Sequence, residues 1–263
     1  MTILEKIIAD KRKEVALKKA VIPAFQLEAS VFFDRHTVTL SDKLRNGSRG
    51  IITEHKRRSP SKSVINNDFT VEEVIRGYDN AGAMGISVLT DMKYFGGALD
   101  DLVLARASTT IPLLRKDFII DEYQILEAKA YGGDVILLIA SVLTRNEIEK
   151  LSKCAKSIGL EVLLEIHNLE ELEKSVMPTL DIIGVNNRNL ATFEVNLNNS
   201  KQLSEHIPAE FVKISESGIT SVEDIIDLES YGFKGFLIGE NFMKTSNAGR
   251  AAEDFIRQLK FEN

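Results

Sequence analysis

A single cysteine, Cys154, stands among 263 residues, so no intrachain disulfide can form. Its mid-helix pattern predicts a buried, reduced thiol and a reducing, cytoplasmic compartment. Long apolar runs are missing too: no stretch approaches the ~18 residues that cross a bilayer, so no membrane partner is expected. At the N-terminus, Glu5, Lys6 and Asp10 interrupt Ile3, Leu4, Ile7 and Ile8 too early for a secretory leader. Excess positive charge is absent, and the formal net charge of −6 argues against a nucleic-acid partner. The histidines, His36, His55, His167 and His206, lack metal-ligand spacing, so no metal is expected. No linker, low-complexity segment or charge block divides the chain.

What is present is a rhythm. From Gly50 onward, short apolar runs appear at 51–55, 85–90, 111–115, 135–139, 161–166, 181–185, 211–214 and 235–238. They are rich in Val, Ile and Leu, as strands buried on both faces are. Helical patterns lie between them, most clearly at 71–81, 121–130, 144–157, 169–176 and 221–231. Thr144 with Glu147, and Thr220 with Glu223, read as capping boxes, and Gly82, Gly132, Gly159 and Gly232 as helix stops. Eight strands alternating with helices predict an α/β fold, a single (β/α)8 TIM barrel. A doubly wound sheet would want a glycine-rich turn after the first strand, where this chain has Lys56-Arg57-Arg58-Ser59. Residues 1–48, opening with an amphipathic helix over about 3–20 that Pro23 stops, form an N-terminal extension to a barrel of residues 49–263, the whole being one domain.

In such a barrel the site lies at the C-terminal strand ends. There the chain places Glu54 and Lys56, Lys116, Glu165, Asn186 to Arg188, and Glu216. Residues two apart share a strand face, so Glu54 goes with Ile52, Lys116 with Leu114, and Glu165 with Leu163, while His55 points outward. One such residue is ordinarily a solvated strand end or an ion pair. Several of consistent parity predict two lysines and three carboxylates at one mouth, a mixture that can hold an acid and a base with pKa values pushed apart. After the seventh and eighth strands, Gly218 and Gly239 occupy the position where barrels bind phosphate on backbone N–H groups, although each also permits a tight turn. Phe95 and Phe118 are placed to wall an aromatic ring or to pack in the core. The basic run Lys56-Arg57-Arg58 with Lys62 reads as substrate-facing or solvated.

Taken together, these motifs resemble indole-3-glycerol phosphate synthase. The resemblance rests on Glu54-x-Lys56-x-x-Ser59-Pro60-Ser61, Leu89-Thr90-Asp91-x-Lys93-Tyr94-Phe95-x-Gly97 and Arg115-Lys116-Asp117-Phe118. It extends through Glu165-Ile166-His167, Gly184-Val185-Asn186-Asn187-Arg188-Asn189-Leu190, Glu216-Ser217-Gly218-Ile219 and Leu237-Ile238-Gly239. It covers nearly the whole chain, and the first and third motifs are its most specific. Ser63 and Ala98 depart from it, at positions where glycine and serine are usual.

The resemblance implies a cofactor-free carbon–carbon lyase of tryptophan biosynthesis. Its substrate is 1-(2-carboxyphenylamino)-1-deoxyribulose 5-phosphate, closed to indole-3-glycerol phosphate with loss of CO2 and water. Lys116 then matches the principal general acid, acting on the ketone oxygen; Glu165 handles the proton of the later dehydration, and Lys56 the leaving hydroxyl. The motifs alone leave the division of steps between the lysines open. Glu54 and Glu216 hold the lysines, and Asn186 binds substrate hydroxyls or orients Glu165. Ser59 and Arg188 take the anthranilate carboxylate, while Phe95, Phe118 and Leu190 flank the ring. Ser217, Gly218, Gly239 and Glu240 receive the phosphate. The extension covers the barrel mouth, and the protein is a monomer or weak homodimer. Two rivals differ testably. Another ribose-phosphate barrel, such as phosphoribosylanthranilate isomerase, would use a different acid–base pair, and a non-catalytic sugar-phosphate-binding barrel need not keep Lys116 and Glu165.

Overall fold

The computed structural model describes residues 2–60, 62–66, 68–189 and 192–261. The eight strands are β1 (Gly50–His55), β2 (Gly85–Leu89), β3 (Leu113–Lys116), β4 (Val135–Ile139), β5 (Glu161–Ile166), β6 (Ile182–Asn186), β7 (Val212–Glu216) and β8 (Gly235–Ile238). All neighbours run parallel, and β8 pairs back onto β1 to close the barrel. Before β1 come α1 (Ile3–Val21), α2 (Ala24–Glu28) and α3 (Leu40–Asn46). The outer helices are α4 (Val71–Asn80), α5 (Met92–Phe95), α6 (Leu99–Ser108), α7 (Glu122–Ala130), α8 (Arg145–Ser157), α9 (Leu169–Ser175), α10 (Asn198–Ser204), α11 (Val222–Ser230), α12 (Glu240–Met243) and α13 (Ala248–Phe261). Among the described residues no helix is long and apolar enough to cross a membrane.

The period-2 pattern of the strands makes two cores. Inward residues such as Ile52, Leu114, Leu137, Leu163, Ile214 and Leu237 fill the barrel, while Val88, Leu138, Leu164 and Phe236 face the helices. Helix ends follow local chemistry. Thr144 caps α8 by accepting from the Glu147 N–H, and Gly82, Gly132, Gly159 and Gly232 all take positive φ. The start expected at Thr220 and Glu223 is shifted by one: Ser221, with an extended φ of −136°, caps α11 and Asp224 returns the bond. Cys154 is half-buried rather than buried, at the rim of α8, with its thiol pKa raised by burial.

The extension works at both ends of the barrel. α1 lies over the C-terminal mouth, with Ile7, Lys11 and Val15 buried at four-residue spacing on one face. α3 instead seals the opposite end. Its Leu40 and Leu44 join the barrel-interior cluster, each burial stabilising by about 1.5–3 kcal/mol. Gly85 and Gly235 admit them, since a Cβ at either would meet these leucines at 2.8 and 3.0 Å. Glu161 at the start of β5 fastens α3 by accepting from the Leu40 N–H (2.6 Å) and the Ser41 hydroxyl (2.5 Å).

Candidate active site

The register of the barrel brings the charged strand ends to one level. Leu89 pairs with Lys116, Ile139 with Glu165, and Asn186 with Glu216. Lys116 Nζ stands between Glu165 Oε2 at 3.0 Å and Glu216 Oε2 at 2.5 Å, and Lys56 Nζ meets Glu54 Oε2 at 2.5 Å. All five lie on the inward face at the floor of a cavity of about 390 Å3. Asn186 accepts from the Arg188 N–H at 3.0 Å and hydrogen-bonds Glu165 through its side chain.

Burial alone would strip charge from this cluster. For Lys116 it is outweighed by Glu216, Glu165 and Glu54, so the ammonium is held protonated, well above its ordinary range. The two carboxylates beside it diverge. Burial also works against Glu165, but Lys116 and then His167 bring it below the usual carboxylate range. Glu216 is pushed up to about 6, by burial first and then by Glu165 and Glu54 against the pull of Lys116. One group stays ionised while its neighbour sits near neutrality, the separation that acid–base chemistry uses.

Gly239, expected only at an anion position, packs directly against this cluster. It caps α12, and an added Cβ would fall on Glu54 Oε2 and lie 2.9 Å from Glu54 Cβ. Gly239→Ala is therefore expected to displace Glu54, release Lys56 and lower kcat on the order of a hundredfold in a protein that remains folded. Steady-state kinetics beside a thermal melt checks this, and wild-type kcat in the variant would rule out the coupling. Ser217 (φ 66°) and Gly218 (φ 82°) together turn the chain through the left-handed region after β7. A serine held there marks a constrained loop at the cavity edge.

The remaining expected residues also converge. Ser59, Phe95, Phe118, Arg188, Ser217, Gly218, Gly239 and Glu240 all line the cavity, with the Phe95 and Phe118 rings 6.1 Å apart. Leu190 lies outside the described residues. Of the basic run, Lys56 faces the cavity, while the rest is committed to the loops: Arg57 bonds Asp101 (2.5 and 2.9 Å) and the Gly96 carbonyl, Arg58 the Met92 and Lys93 carbonyls, and Lys62 the Glu240 carboxylate. Asp101 also accepts from the Ala98 N–H, so the alanine that departs from the family pattern still starts α6. His55 faces outward as expected but is buried there, its pKa lowered to about 4 by burial and then by Arg57.

Several contributors have no strand-end signal. Ile3, Leu4 and Ile7 of α1 form the cavity roof, and Phe193, Thr220 and Lys244 its rim. Beneath α1, Lys11 Nζ is buried 2.9 Å from Asp91 and 3.0 Å from Asp117, the residue after Lys116. Asp117 in turn pairs with Arg115, and Arg115 with Glu127, both at 3.0 Å. His167 stands behind Glu165. It closes the Glu165-Ile166-His167 motif, yet nothing in the spacing separates it from an ordinary loop histidine.

The model of the family described as Indole-3-glycerol phosphate synthase matches residues 4–255 of the chain. The indole-3-glycerol phosphate synthase of Bacteroides thetaiotaomicron is 45% identical over 258 residues, covering 98% of this chain and 99% of that protein. That of Albidiferax ferrireducens is 40% identical, covering 97% and 98%. Among solved structures, a chain of the tryptophan synthase complex from Pyrococcus furiosus superposes with a TM-score of 0.60 at 14% identity, over 81% of this chain and 98% of that one. At that identity the likeness shows the fold alone.

Proposed function

The chain belongs to the indole-3-glycerol phosphate synthase family, and from that premise we propose how the residues at its barrel mouth divide the reaction. The enzyme is a carboxy-lyase of tryptophan biosynthesis. It closes 1-(2-carboxyphenylamino)-1-deoxyribulose 5-phosphate to indole-3-glycerol phosphate, losing CO2 and water. A carbon–carbon bond must form between the ring carbon that bears the carboxylate and the ketone carbon. This requires a proton at the ketone oxygen as charge develops there.

The observation that carries the assignment is Lys116: a protonated ammonium buried between two carboxylates at the cavity floor. In our reading it protonates the ketone oxygen during ring closure, and departure of CO2 then restores aromaticity. Glu165, kept ionised, removes the proton in the dehydration, and Lys56 protonates the hydroxyl that leaves. Glu54 and Glu216 hold the lysines in place, and Asn186 orients Glu165. Phe95 and Phe118 flank the aromatic ring, Ser59 and Arg188 take its carboxylate, and the turns at Ser217-Gly218 and Gly239-Glu240 take the phosphate. The 1–48 segment and the 49–263 barrel act as one domain, and the half-buried Cys154 thiol accords with a reducing, cytoplasmic setting.

Glu165→Gln separates the steps. Wild type is expected to form the fluorescent indole product at the rate at which it releases CO2. In the variant, indole formation slows by about 10²–10⁴-fold while a first turnover of CO2 release still proceeds. Quenched single-turnover experiments follow both products. Equal indole rates in the two proteins would remove Glu165 from the chemistry, and a wild type inert toward this substrate would sink the reading as a whole.

A further inference from the structure

His167 follows Glu165 by two residues, just past the end of β5, with its ring and its backbone both anchored. Glu171, in the first turn of α9, accepts from the His167 N–H at 2.8 Å and meets ring Nδ1 at 3.2 Å. Glu171 is itself held, since Asn168 Nδ2 donates to its other oxygen at 3.1 Å and Asn168 Oδ1 accepts from its N–H at 2.9 Å. The His167 carbonyl accepts from Asn199 Nδ2, which also bonds the Asn186 carbonyl, both at 3.1 Å. The ring has therefore little freedom to turn. Its second nitrogen, Nε2, is shut off from water, makes no hydrogen bond, and lies 3.6 Å from Glu165 Oε1. That oxygen is the one Lys116 does not touch.

A buried nitrogen aimed at a carboxylate and left without a hydrogen bond calls for an explanation. Packing does not supply one, because an apolar side chain would fill the same space without stranding a polar atom. We infer that His167 is a positioning residue for the reaction: anchored by Glu171, its imidazolium keeps the Glu165 carboxylate ionised and in place when Lys116 gives up its proton. This rests on the assignments of Lys116 and Glu165 above. In the resting site Glu165 leans on the Lys116 ammonium, which is spent as the general acid. Without another cation, Glu165 would then bind a proton more tightly and enter the dehydration in the wrong state. His167 supplies that second charge from behind, out of the cavity and out of the substrate's reach.

The charges around the ring favour its protonated form. Burial opposes it, but Glu171, Glu165 and Glu216, facing it from α9, β5 and β7, raise its pKa above the ordinary histidine value. Glu165 is correspondingly lowered, with His167 its second cation after Lys116.

The test is the pH dependence of kcat for wild type, His167→Gln and Glu165→Gln, with imidazole ¹⁵N NMR of the histidines. In wild type the His167 ring is expected to hold its proton to higher pH than an ordinary histidine, its resonance identified by its loss in H167Q. Losing the imidazolium raises the proton affinity of Glu165, so the acid limb of kcat in H167Q moves up by about one pH unit, with KM unchanged. In an E165Q background the same substitution moves nothing. A folded H167Q whose acid limb overlies that of wild type overturns the inference, as does a His167 ring that loses its proton at or below the ordinary histidine value. Loss of turnover in E165Q with no shift in H167Q overturns it while leaving Glu165 as the base. Full turnover in E165Q overturns both.

Discussion

Lys116→Met is expected to leave a folded barrel whose kcat is lower by about 10²–10⁴-fold. Methionine matches the length of the lysine stem and keeps its packing, so the loss isolates the ammonium. Glu165 and Glu216 then face each other without the cation that Lys116 places 3.0 and 2.5 Å from them. Two carboxylates in one buried site cannot both stay ionised, so they take up a proton between them. That uptake limits the cost to stability and gives a second readout, a proton bound by the free variant near neutral pH. Arginine is not a conservative alternative, because its planar fork does not deliver a proton at this pH. The kinetic signature is a fall in kcat and kcat/KM by similar factors, with substrate affinity by calorimetry little changed. A kcat equal to wild type would transfer the acid role away from Lys116.

The largest effect on stability is expected at Lys11. Its ammonium is buried under α1, against Asp91 and Asp117, both themselves buried, and against Glu14 at 2.8 Å. Removing one partner of a buried charge cluster strands the others, at a typical cost of about 3–5 kcal/mol. For a chain of this size Lys11→Met is then expected to lower Tm by roughly 10 °C. The pH dependence has a definite sign. Burial would raise the Asp117 pKa, yet Arg115 and Lys11 more than reverse this and hold it well below the usual range. A carboxylate depressed on folding contributes stability above its unfolded value of ~3.9, lost as pH falls below it. Taking away Lys11 shrinks that contribution, so acid unfolding of the variant begins at higher pH. Combining Lys11→Met with Asp117→Asn is expected to recover part of the loss. A Tm within about 2 °C of wild type would show that α1 is held by its apolar face alone.

Strands were legible because burial on both faces demands uninterrupted Val, Ile and Leu, and that demand is local. The converging lysines and carboxylates were legible for a related reason: strand parity carries from one buried residue to the next. Helix α6 is less clear in the pattern, since Leu99–Ser108 places Asp100 and Asp101 among its apolar residues and lacks a capping side chain at Ala98. The cap of α11 was misplaced by one residue because Thr220 and Ser221 are equally good capping residues chemically. Lys11 could not be picked out from the other lysines of α1, since its partners lie some eighty and a hundred residues away. The same holds for α3, whose two leucines look like any short apolar pair until the barrel closes above them. His167 is hidden by type: its role depends on which nitrogen is left over after Glu171 takes the other.

The buried hold on α1 also sets a schedule. Lys11 leaves the ribosome long before Asp117, and at about 5–20 residues per second the interval is roughly 5–20 s. Until Asp91 and then Asp117 follow it, α1 is without the barrel carboxylates it will rest on. Its lysine-rich face keeps it in water meanwhile, and the apolar stripe is short. The roof of the site is thus made before the strands that hold it, so it cannot be fastened over the mouth until the barrel's third strand is complete.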